Sequence, residues 1–116
     1  MDPRHIDRTK IVQELFSMSF VKQEKLSDKT TAILNSMDKI NSSIEKFAPK
    51  FPIDKIAKVD LAILRLAIYE LVIEKKEPPR VIINEAVDLA REMGSDKAYG
   101  FVNAVLGKIY DANKTN

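Results

Sequence analysis

Few residues in this sequence could carry out chemistry. The chain contains one histidine, His5, and no cysteine. His5 has no neighbour at a metal-binding spacing, and no phosphate-binding loop, dinucleotide-binding glycine pattern or zinc-protease motif occurs. The lack of cysteine excludes disulfide bonds and thiolate metal sites and fits a reducing compartment. The sequence therefore indicates a binding protein rather than an enzyme, and it predicts no cofactor and no metal.

The clearest local concentration of charge lies at the N-terminus, where four basic residues follow Asp2 and Pro3: Arg4, His5, Arg8 and Lys10. Asp2 and Pro3 are typical of the N-cap and first residue of a helix. Cations at a helix N-terminus oppose the helix dipole, by roughly 0.3–1 kcal/mol each when exposed. A bound anion would offset that cost. Two interpretations stay open, an anion-binding site or exposed charge that only keeps the protein in solution.

Composition indicates one all-α domain. The chain has 116 residues, of which 45% are hydrophobic and 31% charged, with a net charge of +2. These values are typical of a globular protein and too balanced to require a nucleic-acid partner by themselves. No alternating strand pattern rich in β-branched residues appears. The N-terminus is polar and lacks an apolar signal segment, so we expect a cytoplasmic location.

The stretch from Asp54 to Lys76 predicts a central helix that is capped by Asp54. Between Leu61 and Ile73 only Arg65 and Glu70 are charged, so apolar side chains surround the helix. Such a helix is usually buried on every side. It is too short to cross a bilayer, for which about 20 apolar residues are needed.

Four further helices are expected around it, at residues 3–22, 28–47, 79–93 and 97–110. The second carries an apolar stripe at helical spacing: Ile33, Met37, Ile40, Ile44 and Phe47. Pro49 and Pro52 end that helix, which suggests an N-terminal helical subdomain (1–50) and a C-terminal helical bundle (51–116). Gly94 is expected in the left-handed conformation that ends a helix. Gly100 suggests a close approach of another helix or of a ligand.

Polar groups inside these helices require partners. Arg65, Glu70, Asn84 and Glu85 could form an internal hydrogen-bonded network that fixes how the helices dock, and Asn103 could take a similar part. The competing interpretation places some of them at the edge of a binding partner. Most other carboxylates stand at helical spacing from lysines, as on a solvated face.

Two long segments then reveal a resemblance. VDLAILRLAIYEL and PPRVIINEAVDLAREMGSDKAYGFVNAVLGKI closely resemble the C-terminal half of NusB transcription antitermination factors. The matching elements are D-x-x-I-L-R-x-A-x-Y-E-L, I-N-E-A-V-x-L-A and F-V-N-x-V-L, in the family's order and spacing. The first helix, RHIDRTKIVQELFSMSF, is similar to the family's Arg-rich N-terminal helix.

The resemblance implies an all-α, NusB-like helical bundle of about five helices in two small subdomains. It implies binding of boxA RNA together with the ribosomal protein NusE. The pair would join an RNA polymerase antitermination complex on ribosomal RNA operons.

By position in the family's motifs, the resemblance implies two groups of RNA-binding residues and one partner-binding residue, Asp60. The first RNA-binding group lies on the first helix: Arg4, His5, Arg8, Lys10 and Phe16. The second lies at the start of the last helix: Lys97, Tyr99 and Phe101. A core role for Phe101 stays open, because it also lies on that helix's apolar stripe.

The sequence departs from the family in two respects. Ile6 and Asp7 interrupt the basic cluster, so RNA affinity without the protein partner should be weaker. The connector between Phe20 and Ser27 leaves no room for a helix that many relatives have there. That puts in doubt the packing of the first subdomain and any homodimer formed through it.

Two alternatives remain at this point. NusB-like domains also occur fused to RNA cytosine methyltransferases, so the chain could be an RNA-binding or scaffold module that acts with a ribosomal RNA methyltransferase. It could also be a helical scaffold without a role in RNA binding.

Overall fold

The computed structural model describes residues 2–22 and 25–114, and every regular element within them is helical. Six α-helices follow one another: α1 (Pro3–Met18), α2 (Asp28–Asn35), α3 (Met37–Phe47), α4 (Lys58–Ile68), α5 (Pro79–Met93) and α6 (Ala98–Lys114). A 3₁₀ turn, Ile53–Lys55, precedes α4, and a π-helical segment, Tyr69–Glu74, extends it. No helix in the described part of the chain is both long and apolar enough to span a membrane. The all-α prediction is confirmed, with six helices in place of about five.

Helix α4 is the centre of the bundle, as its sequence predicts. It packs against α1, α3, α5 and α6. Eight of its eleven residues are buried, and among its apolar side chains Ile63 and Leu64 are completely so. Burial of every face explains why its sequence lacks the polar stripe of a surface helix.

The start of α4 differs from the prediction. Asp54 lies in the 3₁₀ turn and does not cap the helix, which begins four residues later with Ala57 as its N-cap. Pro52 precedes this turn in an extended conformation. The chain therefore makes one tight turn before the long helix begins.

The predicted second helix is two helices. Ser36 leaves the helical conformation, with φ −106° and ψ 14°, and its N–H bonds to Ile33 O at 3.0 Å. The bend lets α2 pack on α1 while α3 packs on α4 and α6. The apolar stripe continues across it, since Ile33, Ile40 and Ile44 are all fully buried.

Helix α1 begins as predicted and ends early. Asp2 Oδ1 accepts a hydrogen bond from the Arg4 N–H at 2.9 Å, which confirms the cap. The helix ends at Met18 rather than Lys22. Ser27, which precedes α2, is held against α1, because Glu14 accepts hydrogen bonds from the backbone and hydroxyl of Ser27 at 2.8 and 2.7 Å.

The structure gives Gly94 and Gly100 surroundings that differ from those predicted. Gly94 is extended, with φ −88° and ψ −176°, and not left-handed. A Cβ there would lie 2.6 Å from Ala98 Cβ, 2.7 Å from Asp60 Oδ1 and 2.8 Å from Ala90 O. Gly94 therefore serves close packing between α5, α6 and α4. Around Gly100 a Cβ would meet nothing within 4 Å, so of the two explanations for this glycine the close approach of a helix is wrong, and the approach of a ligand stays a prediction.

Candidate nucleic-acid interface

The basic end of α1 lies against acidic residues of α5 and the segment before it. Arg4 Nη1 contacts Glu77 Oε1 at 3.0 Å while its side chain remains largely exposed. His5 Nδ1 lies 3.0 Å from Glu85 Oε2, and its Nε2 lies 2.9 Å from Glu92 Oε2. These hydrogen bonds, first to Glu85 and then to Glu92, raise the pKa of His5 above its ordinary value. The positive charge that the sequence placed at this helix end is partly neutralised within the molecule.

Arg8 is buried, which the sequence alone did not predict. Its Nε donates to Glu70 Oε1 at 3.0 Å and its Nη2 to Glu70 Oε2 at 3.0 Å, and it also contacts Glu77. Lys29 Nζ reaches the same Glu70 at 2.8 Å and Glu74 at 3.1 Å. The Arg8 side chain is 5% exposed and that of Glu70 is 3%. Arg8 therefore joins α1 to the π-helical segment that extends α4, and carboxylates engage its Nε and Nη2.

Lys10 and Phe16 remain accessible on α1. Lys10 is exposed and has no ion pair among the described residues. It borders a cavity of about 300 Å³ together with Arg4, Arg8 and Lys29. Phe16 is 38% exposed, and its ring packs edge-on against Phe20 at 5.1 Å.

The predicted residues at the start of α6 form a second accessible group. Lys97 is exposed, and Tyr99 is 44% exposed with the Arg91 guanidinium 4.9 Å from its ring centre. Phe101 is half-buried and packs edge-on against Phe51, with ring centres 5.0 Å apart. One part of the Phe101 side chain thus packs against the core, and the other part lies at the surface.

Asp60 occupies a buried position beside the α5–α6 loop. It is 6% exposed, and burial raises the pKa of its carboxyl group although the Ser95 N–H donates to it. Its Oδ1 has no hydrogen-bond partner among the described residues. This geometry fits a residue that holds the loop leading into α6 better than one that touches a partner directly.

The predicted internal network of Arg65, Glu70, Asn84 and Glu85 is wrong, because none of these side chains bonds to another of the four among the described residues. Glu70 pairs with Arg8 and Lys29, whereas Arg65 donates to Asn41 Oδ1 from Nε and Nη2 at 3.3 and 3.2 Å. Asn84 and Asn103 are exposed and border a surface cavity. Only Lys114 and Asp111 form an ion pair at helical spacing among the described residues, and the other pairs within helices predicted from spacing do not form there.

Sequence reasoning missed Phe51 and the pairing of the basic cluster with carboxylates. Glu77, Glu85 and Glu92 lie 69 or more positions from their partners, so no local pattern could have paired them. Phe51 did carry a signal. It is an aromatic residue between Pro49 and Pro52 in a loop, and it is 50% exposed.

Known proteins resemble this chain in sequence and in fold. The model of the NusB family matches residues 6–111. The transcription antitermination protein NusB of Natranaerobius thermophilus is 46% identical over 82 residues, which is 71% of this chain and 58% of that relative's own length. The chain therefore spans little more than half of that relative.

Two solved structures share the fold. One is NusB of T. maritima, with a TM-score of 0.81 and 26% identity, covering 93% of this chain and 90% of the other. The second is a complex of the antitermination factors NusB and NusE with double-stranded RNA, with a TM-score of 0.81 and 25% identity over 94% of this chain and 96% of the other. The family match over nearly the whole chain, together with the shared helical fold, means that this chain belongs to the NusB family.

Proposed function

We propose that this chain is a transcription antitermination factor that binds boxA RNA together with NusE. In this role it is a non-catalytic adaptor in a cytoplasmic RNA polymerase antitermination complex on ribosomal RNA operons. The observation that carries the proposal is the likeness, over 94% of the chain, to an antitermination factor solved with NusE and double-stranded RNA.

The accessible residues fall into two groups, cations for contacts with phosphates and aromatic rings for contacts with bases. Lys10 and Arg4 on α1 and Lys97 just before α6 are exposed cations that suit phosphate contacts. Tyr99, Phe101 and Phe16 offer aromatic surface on which unpaired bases can stack. His5 carries a charge that the neighbouring carboxylates already offset.

Arg8 and Asp60 act indirectly in this proposal. Arg8 fixes α1 against Glu70, and Asp60 holds the loop that precedes Lys97 and Tyr99. Both therefore position RNA-binding elements from buried sites. A homodimer stays a prediction, which the solution mass by light scattering would decide.

The test is a titration of labelled boxA RNA with this chain, with and without NusE. We expect tighter binding when NusE is present, because the chain's own phosphate-binding charge is limited. Arg4→Glu combined with Lys10→Glu should weaken binding, whereas Lys39→Glu on α3 serves as the matched control. Arg8 is unsuitable for such a test because its substitution would disturb a buried ion pair. Absence of RNA binding both with and without NusE would refute the proposal.

A further inference from the structure

Phe51 and Phe101 form the shared wall of two shallow cavities on the face where the α3–α4 loop meets α6. One cavity, of about 190 Å³, is bordered by Lys50 and Lys108. The other, of about 260 Å³, is bordered by Lys55 and Lys97. We call this surface the Phe51 face, defined by these two phenylalanines and four lysines.

The aromatic pair at its centre is both held in place and accessible. The rings meet edge to face at 5.0 Å and 67°. Phe51 is 50% exposed, while Phe101 is anchored among the partly buried residues packed on the core. Prolines at positions 49 and 52 restrict the loop, and the Phe51 N–H bonds to Ala48 O at 3.0 Å. A rigid exposed ring of this kind provides a flat surface for stacking at little entropic cost.

The charges of this face differ from those of α1. None of its four lysines forms an ion pair within the part of the chain that the structure describes. Arg4, His5 and Arg8, by contrast, all contact carboxylates. Within residues 2–22 and 25–114, the one carboxylate that borders the two cavities is Asp60, which is buried and whose pKa is raised by burial. The Phe51 face is thus the less neutralised of the two basic surfaces.

We propose that single-stranded RNA continues past Phe101 across the Phe51 face, with one base stacked on Phe51 and adjacent phosphates held by Lys50 and Lys108. This inference rests on the proposed function and extends its RNA site to residues of the α3–α4 loop. Unpaired bases expose the flat surfaces that an aromatic ring can bind, whereas bases in a duplex stay stacked within it. The combination of an open ring and unpaired lysines therefore matches a single strand.

Substitution of Phe51 tests the stacking contact. The complex of the full chain with NusE is titrated with fluorescent single-stranded RNA that contains boxA and extends beyond it. We expect Phe51→Ala to weaken binding by roughly 5- to 150-fold, the range for loss of one base–aromatic stack. Phe51→Trp should retain wild-type affinity, and Tyr110→Ala, which removes another exposed aromatic ring, is the matched control. Thermal unfolding of each variant shows that the fold is intact.

The lysines provide a second, independent readout. Each phosphate contact to a single strand contributes about −0.7 to the slope of log affinity against log salt concentration. Lys50→Glu and Lys108→Glu should each reduce the steepness by about that amount. Lys39→Glu, an exposed lysine of α3 that borders neither cavity, should leave the slope unchanged. These surface changes remain informative even if Phe51→Ala fails to fold.

The outcomes separate this inference from the function on which it rests. If wild-type protein binds the RNA, and if the Phe51 and lysine variants bind it with the same affinity and salt slope, the inference is wrong and the function stands. If wild-type protein binds no RNA with or without NusE, both fall. If the Phe51 variant loses NusE and keeps RNA, the face binds protein and the inference is wrong.

Discussion

At the scale of single residues, His5 illustrates how much a tertiary contact adds. Each ring nitrogen lies within hydrogen-bonding distance of a different carboxylate, Glu85 or Glu92. A neutral imidazole can donate from only one nitrogen, whereas the imidazolium donates from both. The geometry therefore favours the protonated form, which fits the raised pKa of His5.

Removing His5 should destabilise the protein in a pH-dependent way. In the unfolded chain its pKa returns to about 6.5, and in the folded protein it is higher. The stabilisation is thus complete below pH 6.5 and disappears as the pH rises through the folded pKa. We expect the difference in unfolding free energy between wild type and His5→Gln to be largest at about pH 5–6, where histidine is protonated and glutamates are ionised, and smallest in alkali. Urea unfolding at a series of pH values measures it, and a difference independent of pH would contradict this origin.

The Arg8–Glu70 pair should have a larger effect on stability. Breaking a buried pair by removing one partner typically costs about 3–5 kcal/mol, because the remaining charge stays buried without compensation. Glu77 still contacts Arg8, so we expect Glu70→Gln to cost about 3 kcal/mol, the lower end of that range. Chemical denaturation measures the change. The exposed Glu45→Gln is the control, and a loss below about 0.5 kcal/mol would place Glu70 among ordinary surface residues.

At the scale of elements, the two glycines on either side of the α5–α6 loop, Gly94 and Gly100, have opposite packing environments. Gly94→Ala would bring a Cβ to 2.8 Å from Ala90 O, a backbone atom that cannot move away easily. We expect a loss of about 1–3 kcal/mol, the usual cost of overpacking. Gly100→Ala has open space and a helical backbone, so it should stabilise the protein by about 0.5–1 kcal/mol. Thermal denaturation of the two variants checks this, and equal effects would contradict the packing explanation.

The π-helical segment Tyr69–Glu74, which extends α4, is an element that sequence patterns do not reveal. The Lys75 N–H bonds to Glu70 O at 2.9 Å, five residues back, as in a π-helix. Lys75 itself is left-handed, with φ 55°, and ends the segment. This wide turn lies where Glu70 and Glu74 meet Lys29, so local geometry and the buried ion network coincide.

At the scale of the whole molecule, two basic surfaces differ in how far carboxylates neutralise them. Among the described residues, the basic end of α1 is partly neutralised, and the Phe51 face is not. Acidic residues of the α5 region, with Glu77 among them, offset the basic end of α1. Phosphates that approach α1 must compete with these carboxylates. We therefore expect α1 to bind RNA weakly, with a small slope of log affinity against log salt concentration.

Removal of the negative charge of Glu77 should therefore strengthen RNA binding. Glu77→Gln frees Arg4 of a partner, and Arg8 keeps Glu70. We expect tighter binding of single-stranded RNA at low salt and a salt slope steeper by about 0.7 for each additional phosphate that the protein binds. Titrations at several salt concentrations measure both quantities, with Glu45→Gln as the control. Unchanged affinity would show that the carboxylates do not compete with RNA.

The sequence by itself determined the helical class, the buried helix α4 and the helix starts at Pro3 and Pro79, because these follow from local periodicity, capping and proline geometry. It also carried the family motifs. Only the tertiary structure decided which charges face water. By its position in the sequence Arg8 is one more cation of an exposed cluster, yet it is buried against Glu70, 62 positions away. Such a partner is set by the packing of whole helices, which local spacing does not encode.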